Sequence, residues 1–144
     1  MADAVIVLDT SILSLVLLRR PAARNERISD FFRGLLITRR MAVPGIVAQE
    51  LLSGVHEAPG RARLRQYLAS FPCLLAEAED HHLGAEIFTA CREGGVQAGT
   101  MDALIAAQAI RLGAEVLATD RDFSHMLPHV PKLLLVQLPA DLVP

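Results

Sequence analysis

Apolar residues run unbroken through Val5, Ile6, Val7 and Leu8 and stop at Asp9, Thr10 and Ser11. A strand buried on both faces has this pattern. The spacing turns helical over residues 11–18 and, after Pro21, over 25–38, where Ile28, Phe31, Phe32, Leu35 and Leu36 share one stripe flanked by Arg. Met41, Ala42 and Val43 predict a short strand. Pro44 then suits the first position of a helix closed by Gly54. A loop holding Pro59 and Gly60 leads to a short Arg-rich helix ending near Ser70, residues 73–76 read as a third strand, and 77–93 read as a helix ended by Gly94 and Gly95. Thr100 is expected to cap a nearly all-apolar helix over 100–112 that Gly113 stops. Residues 115–118 make a further strand ending at Thr119 and Asp120, and 133–136 a last one.

Strands that alternate with helices predict a parallel sheet with helices on both faces, because parallel neighbours need long crossovers that helices fill. The fold class is therefore α/β, a three-layer α/β/α sandwich with a four- or five-stranded parallel sheet. At 144 residues and 52% hydrophobic composition, the chain is expected to form one domain over residues 1–144. No apolar run reaches the roughly 18 residues of a membrane span, and the N-terminal segment lacks the pattern of a secretory signal, so a soluble cytoplasmic protein is expected. Cys73 and Cys91 have no CxxC spacing, which predicts neither a disulfide framework nor a thiolate metal site.

Charge sharpens this picture. The net charge of −2 argues against a globally basic nucleic-acid coat, yet residues 1–65 carry +4 and residues 66–144 carry −6. All basic residues but Lys132 are Arg, the side chain suited to bidentate phosphate contacts. Arg19, Arg20, Arg61 and Arg121 are candidates for such contacts, and solvated helix faces are the alternative.

Ligands of open parallel sheets bind beyond the carboxyl ends of the strands. Asp9 and Asp120 each follow a predicted strand, which puts both carboxylates at that edge. Glu50 has Ile46 and Val47 at i−4 and i−3, so it lies along an apolar face, where a carboxylate is costly without compensation. Asp102 falls in the first turn of the apolar helix, where free N–H groups favour an anion. Each also has a purely structural reading: a cap or turn for the two strand-end Asp residues, a snorkelling stem for Glu50, a helix-start stabiliser for Asp102.

Four converging acids would raise an electrostatic conflict. Like charges about 4 Å apart cost on the order of 4 kcal/mol at an intermediate dielectric, and a divalent cation removes that cost. All-oxygen donors select Mg²⁺ or Mn²⁺ over Zn²⁺, and the five His form no HxxxH or HExxH. Such ions would lower the pKa of a bound water and orient it for in-line attack on a phosphodiester. Ser11 and Thr119 stand beside the acids and could hold water or phosphate oxygen, or else only close turns.

The runs VIVLDTSIL, VPGIVAQELLSG and GTMDALIAAQAIRLGAEVLATDRDF, with their Asp, Glu, Asp, Asp order, resemble PIN-domain ribonucleases, and among them the VapC-type toxins of bacterial toxin–antitoxin pairs. The similarity spans roughly residues 5–136. It implies a PIN-like fold, Mg²⁺- or Mn²⁺-dependent cleavage of RNA, homodimerisation, and a partner antitoxin whose tail blocks the acidic site. By position, Asp9, Glu50, Asp102 and Asp120 match the family's metal-site acids, Ser11 and Thr119 its polar neighbours, and Asp122 a further acid of the DF motif. Thr100 stands where several members carry an acid or Pro, and Thr119 where Asn is frequent.

A phosphoaspartate phosphatase would need an Asp where Ser11 stands, and a receiver domain would need a Lys near the acids, whereas Lys132 lies beyond the last motif. The competing reading of another class is a PIN-like module that binds RNA or protein without cutting. Homodimerisation is also motivated by the Ile28/Phe31/Phe32/Leu35 stripe, unless the core absorbs it.

Overall fold

The structure is a computed structural model, which describes residues 4–18 and 22–144. Pro21, expected to separate the first two helices, lies outside the described residues. The elements run β1 (Ile6–Leu8), α1 (Thr10–Leu17), α2 (Ala23–Thr38), β2 (Met41–Pro44), α3 (Gly45–Ser53), α4 (Ala58–Leu68), β3 (Cys73–Leu74), α5 (Ala78–Glu93), α6 (Thr100–Leu112), β4 (Glu115–Leu117), α7 (Asp122–Met126) and β5 (Leu134–Leu135), with 3-10 turns at Leu127–His129 and Ala140–Leu142.

One parallel sheet orders the strands β3-β2-β1-β4-β5. The β1 strand sits at its centre, pairing Ile6 with Met41 on one side and Leu8 with Leu117 on the other. All three of its residues are buried, as an unbroken apolar strand demands. The chain moves outward from β1 to β3 and then returns to lay β4 on the opposite flank of β1. The carboxyl ends of β1 and β4 thus bracket the point where strand order reverses, and the described residues form the expected three-layer α/β/α sandwich with five strands.

Helices close over both faces with the residues that the periodicity marks: Ile12 and Leu13 from α1, Ile28 and Phe32 from α2, Ile105 and Ala106 from α6 are all buried. Phe31 and Leu35 pack partly buried against the same core. The α2 stripe is therefore largely consumed within the fold, and it supplies no reason for a dimer.

Several boundaries differ from expectation. Pro44 ends β2 instead of opening a helix; it lacks a backbone N–H, which the end of a strand tolerates, and its extended ψ of 141° suits the N-cap of α3. Pro59 and Gly60 lie inside the first turn of α4, where a missing N–H costs no intrahelical bond. The N-cap of α6 is Gly99, and Thr100 is the first helical residue. The short α7 was not anticipated, because a five-residue helix has too few turns to show a period. Gly113 adopts φ +62° and ends α6 as expected.

A charged cluster ties α5 to α6. Asp80, only 1% exposed, accepts a hydrogen bond from the Glu77 N–H at 2.8 Å and one from Arg111 Nε at 2.7 Å. Burial by itself would raise the Asp80 carboxyl, but the hydrogen bonds from Arg111 and the Glu77 backbone outweigh it and hold its pKa below the ordinary value.

Candidate metal and active site

The polar run after β1 folds into a fixed cradle. Asp9 is the N-cap of α1 in extended backbone, and its Oδ2 accepts from the Ser11 N–H at 3.1 Å and from the Ser11 hydroxyl at 2.6 Å. Ser11 Oγ in turn accepts from the Thr119 N–H at 2.9 Å. This relay joins the end of β1 to the end of β4 and sets the rotamer of Asp9, which is 4% exposed. It engages Oδ2 alone and leaves Oδ1 without a protein donor among the described residues. Capping and site formation are thus compatible duties for one carboxylate.

Asp9, Glu50, Asp102, Asp120 and Asp122 all line one cleft of about 570 Å³, together with Thr10, Ser11, Ser14 and the start of α6. Parts of the chain from α1, α3, α6 and the segment after β4 meet there, at the strand-order reversal. Among the described residues, no Arg, Lys or His lines the cleft. Glu50 departs from the argument that selected it: it is exposed at the rim, where its Oε2 accepts from the Thr10 hydroxyl at 3.3 Å, so its charge is not buried along α3. Thr119 acts through its backbone N–H and does not itself line the cleft. Thr10 and Ser14 have no site role assigned from the sequence; their only signal is position, four residues apart on the helix that Asp9 caps.

The electrostatics bear the mark of uncompensated charge. Asp102 is pushed up to about 7, first by desolvation and then by the negative charges of Asp9, Asp122, Asp120 and Glu50. Asp120 is also raised, chiefly by desolvation and further by Asp9 and Asp122, although the hydrogen bond it accepts from the Asp122 N–H at 3.2 Å opposes this. The donor set suits a hard cation: carboxylate and hydroxyl oxygens, with no competing base. Among the described residues no three acidic, His or Cys side chains already stand in ligating geometry, so holding an ion requires side-chain rotation within the cleft.

Of the four candidate phosphate-contacting Arg residues, Arg19 and Arg20 lie outside the described residues. Arg61 donates to the carbonyls of Val55 and His56, a local structural use. Arg121 is exposed between Asp120 and Asp122.

A family model, the PIN domain, matches residues 6–126, from the first residue of β1 to the last of α7. The chain belongs to the PIN domain family. Its match takes in every acid of the cleft. Solved structures share the fold. VapBC2 from Rickettsia felis bound to a DNA fragment from its promoter is 21% identical with a TM-score of 0.75, covering 94% of this chain and 99% of that one. FitAcB from Neisseria gonorrhoeae is 20% identical with a TM-score of 0.73, covering 92% and 96%. VapBC-5 from Mycobacterium tuberculosis, a member of the VapBC family of toxin-antitoxin systems, is 22% identical with a TM-score of 0.64, covering 94% and 99%. The PIN resemblance read from the sequence is thereby borne out. Among the described residues of this PIN domain, no helix is long and apolar enough to cross a membrane.

Proposed function

We propose that this PIN domain is an endoribonuclease that hydrolyses RNA phosphodiester bonds with Mg²⁺ or Mn²⁺ held by Asp9, Glu50, Asp102 and Asp120, and that it is the toxin of a toxin–antitoxin pair. The observation that carries the reading is one cleft lined, among the described residues, by five carboxylates and no cationic side chain, in which Asp102 is pushed up to about 7. Such an arrangement opposes its own ionisation, and a hard divalent ion relieves it. When bound, that ion supplies Lewis acidity and charge neutralisation for in-line attack of water on phosphorus.

The chain's own groups divide the remaining work. Ser11 and the Thr119 N–H fix Asp9, the most buried acid of the four. Thr10 steadies Glu50 across the cleft. Asp102 stands in the first turn of α6, where the helix N-terminus favours its anionic form and the neighbouring acids oppose it. Its high proton affinity equips it to hold a proton near neutral pH until a cation approaches. Asp122 adds a fifth acid at the cleft and donates its backbone N–H to Asp120, so it acts as a supporting group.

The toxin assignment, the antitoxin partner and homodimerisation follow from the VapC-type resemblance, which the fold shared with VapBC-5 supports. A short neighbouring reading frame for a DNA-binding protein, and a dimer in light scattering, are the corresponding expectations. The central test is cleavage of RNA with Mn²⁺ or Mg²⁺, with chelator and with Asp9→Asn. Cleavage abolished by both supports the reading, and cleavage that survives both ends it. RNA that binds and stays intact across metals would instead favour a silent binding module.

A further inference from the structure

A second cleft, of about 420 Å³, opens between α5 and α6 and shares Thr100 with the acidic cleft. Six α5 residues at helical spacing line it, among them His81, Phe88 and Arg92. Arg92 lays its guanidinium over the Phe88 ring, 5.8 Å from the centroid. Small residues keep the space between them open. At Gly84 the two helices approach so closely that an added Cβ would stand 3.6 Å from the Ala103 carbonyl and from the Leu104 backbone.

Arg92 differs from four other Arg residues of this chain. Arg27, Arg33, Arg39 and Arg111 are each bound to a carboxylate. No ion pair among the described residues uses Arg92, and its planar group is already stacked. Among the described residues, the only charged side chains that line the acidic cleft are carboxylates, so the phosphates of an RNA strand lying across it gain from cationic groups beside it. Unpaired bases of single-stranded RNA are held by stacking on aromatic rings and guanidinium planes.

From the shared wall, the stacked pair and the charge of the two clefts, we infer that the α5–α6 cleft is a subsite for a nucleotide of the RNA adjacent to the scissile bond. Its base stacks on the Phe88–Arg92 layer, and its phosphate is met by Arg92. The inference rests on the ribonuclease reading, and its test separates the two.

The full chain is titrated with a fluorescent single-stranded RNA oligonucleotide, and cleavage is followed with Mn²⁺, for the wild type, Arg92→Gln, Phe88→Leu and Phe88→Tyr. Stacking of one base predicts that Arg92→Gln and Phe88→Leu each weaken RNA binding and raise KM by about tenfold with kcat nearly kept, while Phe88→Tyr restores binding. Arg92 is exposed, so its replacement leaves the fold intact should Phe88→Leu perturb packing. Wild-type cleavage with KM unchanged in Arg92→Gln and Phe88→Leu would overturn the subsite and leave the nuclease standing. A change of mass in light scattering with unaltered RNA affinity would overturn it in favour of a contact between copies of the chain. A wild type that neither binds nor cuts RNA would overturn both.

Discussion

The two ends of α6 treat negative charge in opposite ways. Near its C-terminus, Arg111 reaches Asp80 and Glu77, and the buried Asp80 is fully matched by donors and held below its ordinary pKa. In its first turn, Asp102 has no hydrogen bond or ion pair among the described residues, and it faces four more acids that push it up to about 7. A carboxylate with its partners supplied holds two helices together, whereas a group of carboxylates left unmatched costs stability and is worth keeping only if something outside the chain completes it. Burial alone would not have told them apart, since Asp80 is the more buried of the two.

Substitutions at each end should separate activity from stability. Asp9→Asn removes a cleft ligand and should lower RNA cleavage on the order of 10³-fold, about 4 kcal/mol of transition-state stabilisation, with the circular dichroism spectrum unchanged. Asp80→Ala takes from Arg111 its buried partner and leaves it only the exposed Glu77, and should cost about 3 kcal/mol in a denaturant titration while leaving cleavage per folded molecule intact. Loss of activity in the folded Asp80→Ala protein would break the division between the two ends. Ser11→Ala leaves every acid in place but removes the hydroxyl that ties Asp9 to the Thr119 N–H, and should reduce metal affinity about tenfold in a Mn²⁺ titration. The smallest effect concerns pH. Because the folded Asp102 titrates near 7 and its ordinary value is 3.8, the native state holds a proton that the unfolded chain releases between these limits. Stability of the metal-free protein should fall as pH rises through that window. Asp102→Asn should flatten this dependence and raise the melting temperature above pH 7. Discounted for solvent screening, the gain is about 1 kcal/mol, roughly 3 °C.

The sequence made the central elements legible because they are long or wholly buried: β1 carries no polar residue, and α6 reads as one apolar block between Gly99 and Gly113. Asp9 and Asp120 were found because each follows a strand, and the topology brings those strand ends together. Glu50 was selected by an argument from burial that does not hold, since it stands exposed at the rim, yet it belongs to the cleft all the same. The Thr119–Ser11 link of the relay to Asp9 joins residues 108 apart in the chain and is invisible without the β1–β4 pairing. The Asp80–Arg111 cluster was missed for the same reason, because its partners are 31 residues apart and each alone resembles an ordinary charge on a helix surface. Local pattern predicts elements, and contacts across the sheet decide which polar residues meet.

Calorimetric titration of Mn²⁺ near pH 7, in buffers of differing ionisation heat, tests the central claim most directly. An acid cleft that waits for a cation should bind the ion with net release of protons, mainly from Asp102, and the release should fade as pH climbs well above 7. Asp9→Asn should weaken the binding. A wild type that takes up no Mn²⁺, or takes it up equally well without the Asp9 carboxylate, would contradict the account.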